Sequence, residues 1–212
     1  MPDISLVRKG STGRLFYVIA ESGNAEKICE KLISDISVAA VSVADWNREL
    51  SPWPAEKCFK NGEDFGGGAG EYLAELAAKI PAFEEAHGLQ PDFRALCGYS
   101  LAGLAAVYAL YLTDMFSGAV SASGSMWFDG WIDFMENNRP MGTHVKAYLS
   151  VGDREARTRN ARLAAVEECT RRACGILNDA GEAMFELNPG NHFNEPDQRL
   201  ARGMDRLFDM LK

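Results

Sequence analysis

No stretch of this 212-residue chain approaches the roughly 18 consecutive apolar residues that a membrane-spanning helix needs. The N-terminal MPDISLVRKGSTGR also lacks the apolar core of a leader peptide, so export and membrane insertion are not expected and a cytoplasmic location is. Basic charge is in short supply: 22 Lys+Arg stand against 30 Asp+Glu, a net charge of -8. That sign repels phosphate backbones and anionic lipid, which removes nucleic acid and membranes from the expected partners. Cysteine is sparse and unpatterned. Cys29, Cys58, Cys97, Cys169 and Cys174 are odd in number and form no C-x-x-C, which fits reduced packing thiols better than a disulfide framework. No repeat, low-complexity tract or linker interrupts the sequence.

What is present is an ordinary globular composition, 47% hydrophobic and 25% charged, in a length that suits one domain over residues 1–212. From Arg14 onward, short apolar β-branched runs alternate with segments of helical period, the pattern of an α/β fold. Strands are predicted at about Leu15–Ala20, Val38–Ala44, Phe93–Tyr99, Phe116–Ser123, Val145–Val151 and Met184–Asn188. Runs such as FRALCGYS and VKAYLSVG show little polar alternation, as expected of parallel strands covered on both faces. Tyr72, Leu73, Leu76, Ile80 and Phe83 recur at helical spacing, with Pro81 expected to bend the last turn and His87-Gly88 to end it. LAGLAAVYALYL, from Leu101 to Leu112, is apolar on every side and reads as a buried helix. The one long connection, Asn47–Gly70, is expected to cover a site.

Ligands of open parallel sheets bind beyond the carboxyl ends of the strands. After the third predicted strand comes Gly98-Tyr99-Ser100-Leu101-Ala102, the one G-x-S triplet in the chain. A sharp strand-to-helix turn there would expose the Ser100 hydroxyl above the sheet and demand small residues two before and two after it, which Gly98 and Ala102 satisfy. The Leu101 N–H, at the helix start, would face a developing oxyanion. A serine hydroxyl needs a base, and His192 lies in a turn-forming cluster between the last strand and the last helix. His87 and His144 read instead as a helix terminus and a strand entrance at the opposite end of the sheet. A carboxylate should follow the penultimate strand, and Gly152-Asp153-Arg154-Glu155 offers two. Glu155, three residues past the glycine, has room to turn toward the histidine loop, and Asp153 is the alternative.

GYSLAGL at Gly98–Leu104, SVGDRE at Ser150–Glu155 and NPGNHF at Asn188–Phe193, in that order at strand ends, resemble the α/β-hydrolase superfamily. Within it they are similar to compact esterases related to enterochelin esterase and esterase D. The resemblance spans nearly the whole chain. It implies a serine hydrolase of carboxylic esters with Ser100 as nucleophile, His192 as base and Glu155 as acid, acting on a small-molecule ester with no metal or organic cofactor. Family members commonly carry His-Gly after the strand before the oxyanion loop, whereas Ala20-Glu21-Ser22-Gly23 stands here, so the second oxyanion donor is assigned to the Ser22 N–H. Asp45-Trp46-Asn47-Arg48 could supply it or line the acyl pocket instead. The first antiparallel strands of larger members are expected to be missing, leaving a mostly parallel sheet of about six strands.

Each of these residues also has a plainer use. Ser100 could cap the buried helix, and His192 alone could be a surface-loop residue. Trp46, Trp53, Trp127 and Trp131 all follow strands two and four, where packing competes with pocket lining, and Trp46 and Trp127 are the better substrate-binding candidates. Gly66-Gly67-Gly68-Ala69-Gly70 lacks the preceding strand and following Lys-Ser/Thr of a phosphate loop and reads as a helix start. Of the arginines after Gly152, Arg154 is the one near the site. The same triad serves thioesterases, peptidases and acyltransferases, and a non-catalytic ligand-binding domain on this fold is a further alternative. Acyl-chain preference and oligomeric state are not legible.

Overall fold

The computed structural model describes residues 1–20, 22–59 and 61–212, with Ser22 only as the first residue of a helix. In chain order the elements are β1 (Ile4–Arg8), β2 (Arg14–Ile19), α1 (Ser22–Cys29), β3 (Ser37–Val41) and α2 (Trp46–Glu49). The short strands β4 (Pro54–Ala55) and β5 (Phe65–Gly66) lead to α3 (Ala69–Ala86), β6 (Phe93–Tyr99), α4 (Leu101–Leu112) and β7 (Gly118–Ala122). Then follow α5 (Trp131–Asn137), β8 (Val145–Gly152), α6 (Ala161–Ala164), α7 (Val166–Ala180), β9 (Gly181–Asn188) and α8 (Pro196–Asp209).

Seven strands form one sheet in the order β1-β3-β2-β6-β7-β8-β9. Every neighbouring pair from β3 to β9 is parallel, and β1 runs antiparallel along β3. The pleat of β2 divides its side chains between two cores. Leu15, Tyr17 and Ile19 join the cluster that includes α3 and α4, and Phe16 and Val18 join the one that includes α1 and α8. With helices on both faces, the interior strands need no polar alternation, which is why the sequence shows none. α4 packs between β6, β7 and α3, so all of its residues but Tyr108 and Leu112 are buried. The chain leaves β2 toward β3 and leaves β6 toward β7, in opposite directions along the sheet, so the crevice for a ligand opens where their carboxyl ends meet.

The expectations for the six parallel strands hold, with shifts at the ends, but the edge does not: an antiparallel strand is present, because Ile4–Arg8 pairs along β3 after all. Four half-buried residues and an exposed Ser5 at an edge carry too little hydrophobic signal to stand out. α3 runs through Pro81 to Ala86, where the expected stop at His87 and Gly88 is found, Gly88 at φ 59°. Its continuation places Glu84 in the interior, accepting from the Tyr17 hydroxyl (2.8 Å) and from Arg94 Nε and Nη2 (2.7 Å each). Among the described residues no helix is long and apolar enough to cross a membrane, and all five cysteines are unpaired.

Candidate active site

Ser100 is the residue between β6 and α4, and its backbone sits at φ 58°, ψ -122°. A non-glycine residue held at positive φ costs of order 1–3 kcal/mol, so the surroundings must over-determine it. They do: the Ser100 N–H donates to Ala122 O (3.1 Å), and its carbonyl accepts from the N–H groups of Gly103, Leu104 and Ser125. The turn is so tight that a Cβ on Gly98 would stand 2.3 Å from the carbonyl carbon and oxygen of Ala102. Gly98 and Ala102 are therefore small for the reason the sequence suggested. The Leu101 N–H is the first of the amides at the α4 start that have no acceptor within the helix. The expectation for the Ser22 N–H lies outside the described residues, because Glu21 precedes it and Ser22 itself is described only by its place in α1.

His192 and Glu155 arrive from the loops after β9 and β8. His192 Nε2 lies 3.1 Å from Ser100 Oγ, and Nδ1 lies 2.8 Å from Glu155 Oε2. An ionised carboxylate only accepts, so Nδ1 carries the ring proton, and Nε2 of the neutral imidazole is free to accept from the serine hydroxyl. Glu155 Oε1 accepts from Ser123 Oγ (2.7 Å), the Gly152 N–H (2.6 Å) and Arg199 Nη1 (3.1 Å). Burial alone would raise the Glu155 carboxyl, but hydrogen bonds from His192, Ser123 and Gly152, with the His192 charge, hold it below the ordinary carboxylate value. Asp153 has another task. Its Oδ1 accepts from the Gly190 N–H (2.8 Å), while the Arg154 N–H donates to Gly190 O (3.0 Å), so the two loops are tied together beside the imidazole.

Three residues that sequence reasoning passed over hold this arrangement. Arg199, on the first turns of α8, is buried; besides Glu155 it reaches Ser123 Oγ (3.1 Å) and, through Nη2, Pro189 O (2.8 Å). Ser123 sits at φ 47° just past β7, which aims its hydroxyl at Glu155. The Tyr99 hydroxyl donates to His192 O (2.6 Å), and burial pushes its pKa up, so it stays a donor. None had a usable sequence signal except Tyr99, which stands beside Ser100. An arginine next to the apolar stripe of a helix normally reads as solvent-facing.

Ser100 lies on the walls of two cavities. One, of about 410 Å³, is also lined by His192, Trp127, Phe59, Leu163, Val166 and Phe193, with Arg154 and Arg157 at its edge. The other, of about 300 Å³, is lined by Ile19, Ile28, Trp46, Tyr99 and Leu200. Trp46 and Trp127 each line one of these cavities, while Trp131 is fully buried and Trp53 packs in an aromatic cluster with Tyr108, Phe128, Trp131 and Phe134. The Asp45–Arg48 stretch forms the start of α2 and lines the smaller cavity through Trp46. The 47–70 segment folds into α2, the β4–β5 pair and the lead into α3. Among its described residues, Phe59 is the one on the larger cavity's wall. Gly68 caps α3, as a helix start should.

No protein of curated function matches the chain in sequence. Among solved structures it resembles the siderophore hydrolase EstA from Aspergillus nidulans, at 20% identity and TM-score 0.72 over 100% of this chain and 90% of that one. An IroE-like serine hydrolase from Shewanella oneidensis aligns at 16% identity and TM-score 0.78, covering 100% and 76%. The enterobactin esterase FES from Shigella flexneri aligns at 15% identity and TM-score 0.67, covering 100% and 60%. At these identities the likeness establishes a shared fold. The family evidence is in the sequence: the Esterase family model, described as "Putative esterase", matches residues 17–192. The chain therefore belongs to this esterase family of α/β-hydrolase fold and is a hydrolase of carboxylic esters.

Proposed function

We propose that ester cleavage proceeds through an acyl-enzyme on Ser100, with His192 as base and then acid, Glu155 as its orienting carboxylate and the Leu101 N–H as an oxyanion donor. The observation that carries this reading is the continuous chain Ser100 Oγ, His192 Nε2, His192 Nδ1, Glu155 Oε2, at 3.1 and 2.8 Å. Ser100 Oγ attacks the carbonyl carbon as its proton passes to Nε2. The C–O bond to the alcohol breaks, and Nε2 returns the proton to the departing oxygen. Water then attacks the acyl-enzyme by the same relay, regenerates the serine hydroxyl and releases the acid. Glu155 holds the proton on Nδ1 and stabilises the imidazolium in each half-reaction. The residues do all the proton transfers, so this reading assigns no metal or organic cofactor.

A small-molecule ester suits the cavities beside Ser100. The names of the structural neighbours make siderophore esters one substrate group to assay. The unpaired cysteines support a reducing, cytoplasmic setting. The test is fluorophosphonate labelling. Rapid modification of Ser100, with turnover of short nitrophenyl esters abolished in Ser100→Ala, is the expected result. A wild-type protein that never labels, with a Ser100→Ala variant that keeps its turnover, would overturn the acyl-enzyme reading.

A further inference from the structure

The two cavities that meet at Ser100 are not equivalent, because His192 lines the larger one and not the smaller. In any acyl transfer that uses this imidazole, the group that leaves must take its proton from Nε2, so its oxygen has to depart on the imidazole's side of the tetrahedral carbon. The acyl substituent occupies a different direction from the same carbon. We propose that the larger cavity receives the alcohol part of the ester and the smaller cavity the acyl part. The preferred substrate is then an ester of a bulky aromatic alcohol with a compact aliphatic acid. This assignment rests on the acyl-enzyme reading given above.

The linings agree with that division. Phe59, Trp127 and Phe193 line the alcohol cavity, with Leu163 and Val166 beside them and Arg154 and Arg157 among its charged members. Flat π-surfaces of this kind hold an aromatic group by offset or edge contacts. Phe193 is 83% exposed directly after His192, and Phe59 is 63% exposed. Both rings would lose contact with water on an incoming aromatic group. The smaller cavity is walled by the aliphatic Ile19, Ile28 and Leu200 with the Trp46 indole, and Asn24 and Asp197 are among its polar members. It lies at the reversal point of the sheet, between the ends of β2 and β6, and its volume of about 300 Å³ is at the lower end of small-ligand pockets.

The division can be read kinetically, since kcat/KM of an ester reports acylation, which feels both parts, while hydrolysis of a preformed acyl-enzyme feels the acyl part alone. The substrates are methyl, benzyl and naphthylmethyl butyrates, whose alcohols differ in size but little in acidity, and naphthylmethyl esters of acetate, butyrate and octanoate. Wild type should prefer the naphthylmethyl over the methyl ester by at least tenfold and disfavour octanoate. Trp127→Ala should flatten the alcohol series and leave the acyl series ordered as in wild type, and Trp46→Ala should do the reverse. Leu163→Trp, which fills the larger cavity, should turn away the naphthylmethyl ester while still accepting the methyl ester. Fluorophosphonate labelling of each variant at Ser100 checks that it is folded and competent. The reversed pattern, or two variants that leave both series unaltered, overturns the assignment while the acyl-enzyme reading stands. Turnover that survives in Ser100→Ala would instead overturn the reading beneath it.

Discussion

Arg199 Nη1 lies 3.1 Å from Glu155 Oε1, and both side chains are 4% exposed, so the carboxylate hydrogen-bonded to His192 is itself paired with a buried cation. Arg199→Met should cost about 3 kcal/mol of stability, because it strands a buried charge. It should also lower kcat, since Glu155 Oε1 loses one of the donors that fix the carboxylate against the His192 ring. Arg199→Lys should recover part of both. Urea unfolding and steady-state kinetics on the folded variants decide the matter, and a kcat that stays in place would reduce Arg199 to packing.

Glu155 and Asp153 should separate cleanly by mutation. Glu155→Gln can no longer stabilise an imidazolium and can leave the wrong tautomer on His192, so kcat should fall by about 10³–10⁴. Asp153→Asn keeps an oxygen that can accept from the Gly190 N–H and should lose less than about tenfold. Steady-state kinetics on one nitrophenyl ester compares them. Equal losses would mean that tying the loops together matters as much as the carboxylate on the ring.

Glu155 also ties stability to pH. Its carboxyl is held below the ordinary value in the folded protein, so its contribution is fully present above the unfolded value of about 4.3 and is lost as the pH falls through the lower folded value. Urea unfolding should then show wild-type stability dropping below about pH 4 more steeply than that of Glu155→Gln. Parallel decline in the two proteins would assign acid sensitivity to other carboxylates.

The turn at Ser100 has no room for a methyl group at residue 98. Gly98→Ala would push a Cβ into the Ala102 backbone, which cannot rotate away as a side chain can. Forcing the turn open should cost at least about 2 kcal/mol and displace Ser100 Oγ from Nε2. Thermal denaturation together with fluorophosphonate labelling rates measures both effects. A variant with native stability and labelling would show that the elbow has more freedom than its contacts allow.

The parallel strands, the buried α4 and the candidacy of Ser100 and His192 could be read along the chain, because each leaves a local mark. An unalternating apolar run, an all-round apolar helix and a turn-forming cluster at a strand end are set by neighbours in sequence. β1 was missed because an edge strand is half exposed and reads much like a loop. The roles of Arg199, Ser123 and Tyr99 could not be read, since each depends on partners brought close by the sheet. Arg199 lies 44 residues from Glu155, and an arginine looks the same in sequence whether it faces water or a buried carboxylate. Which of Glu155 and Asp153 meets the imidazole was also decided in three dimensions. Both follow Gly152 within three residues, and only the loops' approach turns one toward the ring nitrogen and the other toward the Gly190 backbone. Local patterning thus specified most of the sheet and the candidate reacting groups. Their relative orientation, and with it the distinct cavities on either side of Ser100, came from the way the sheet brings distant loops together at one end.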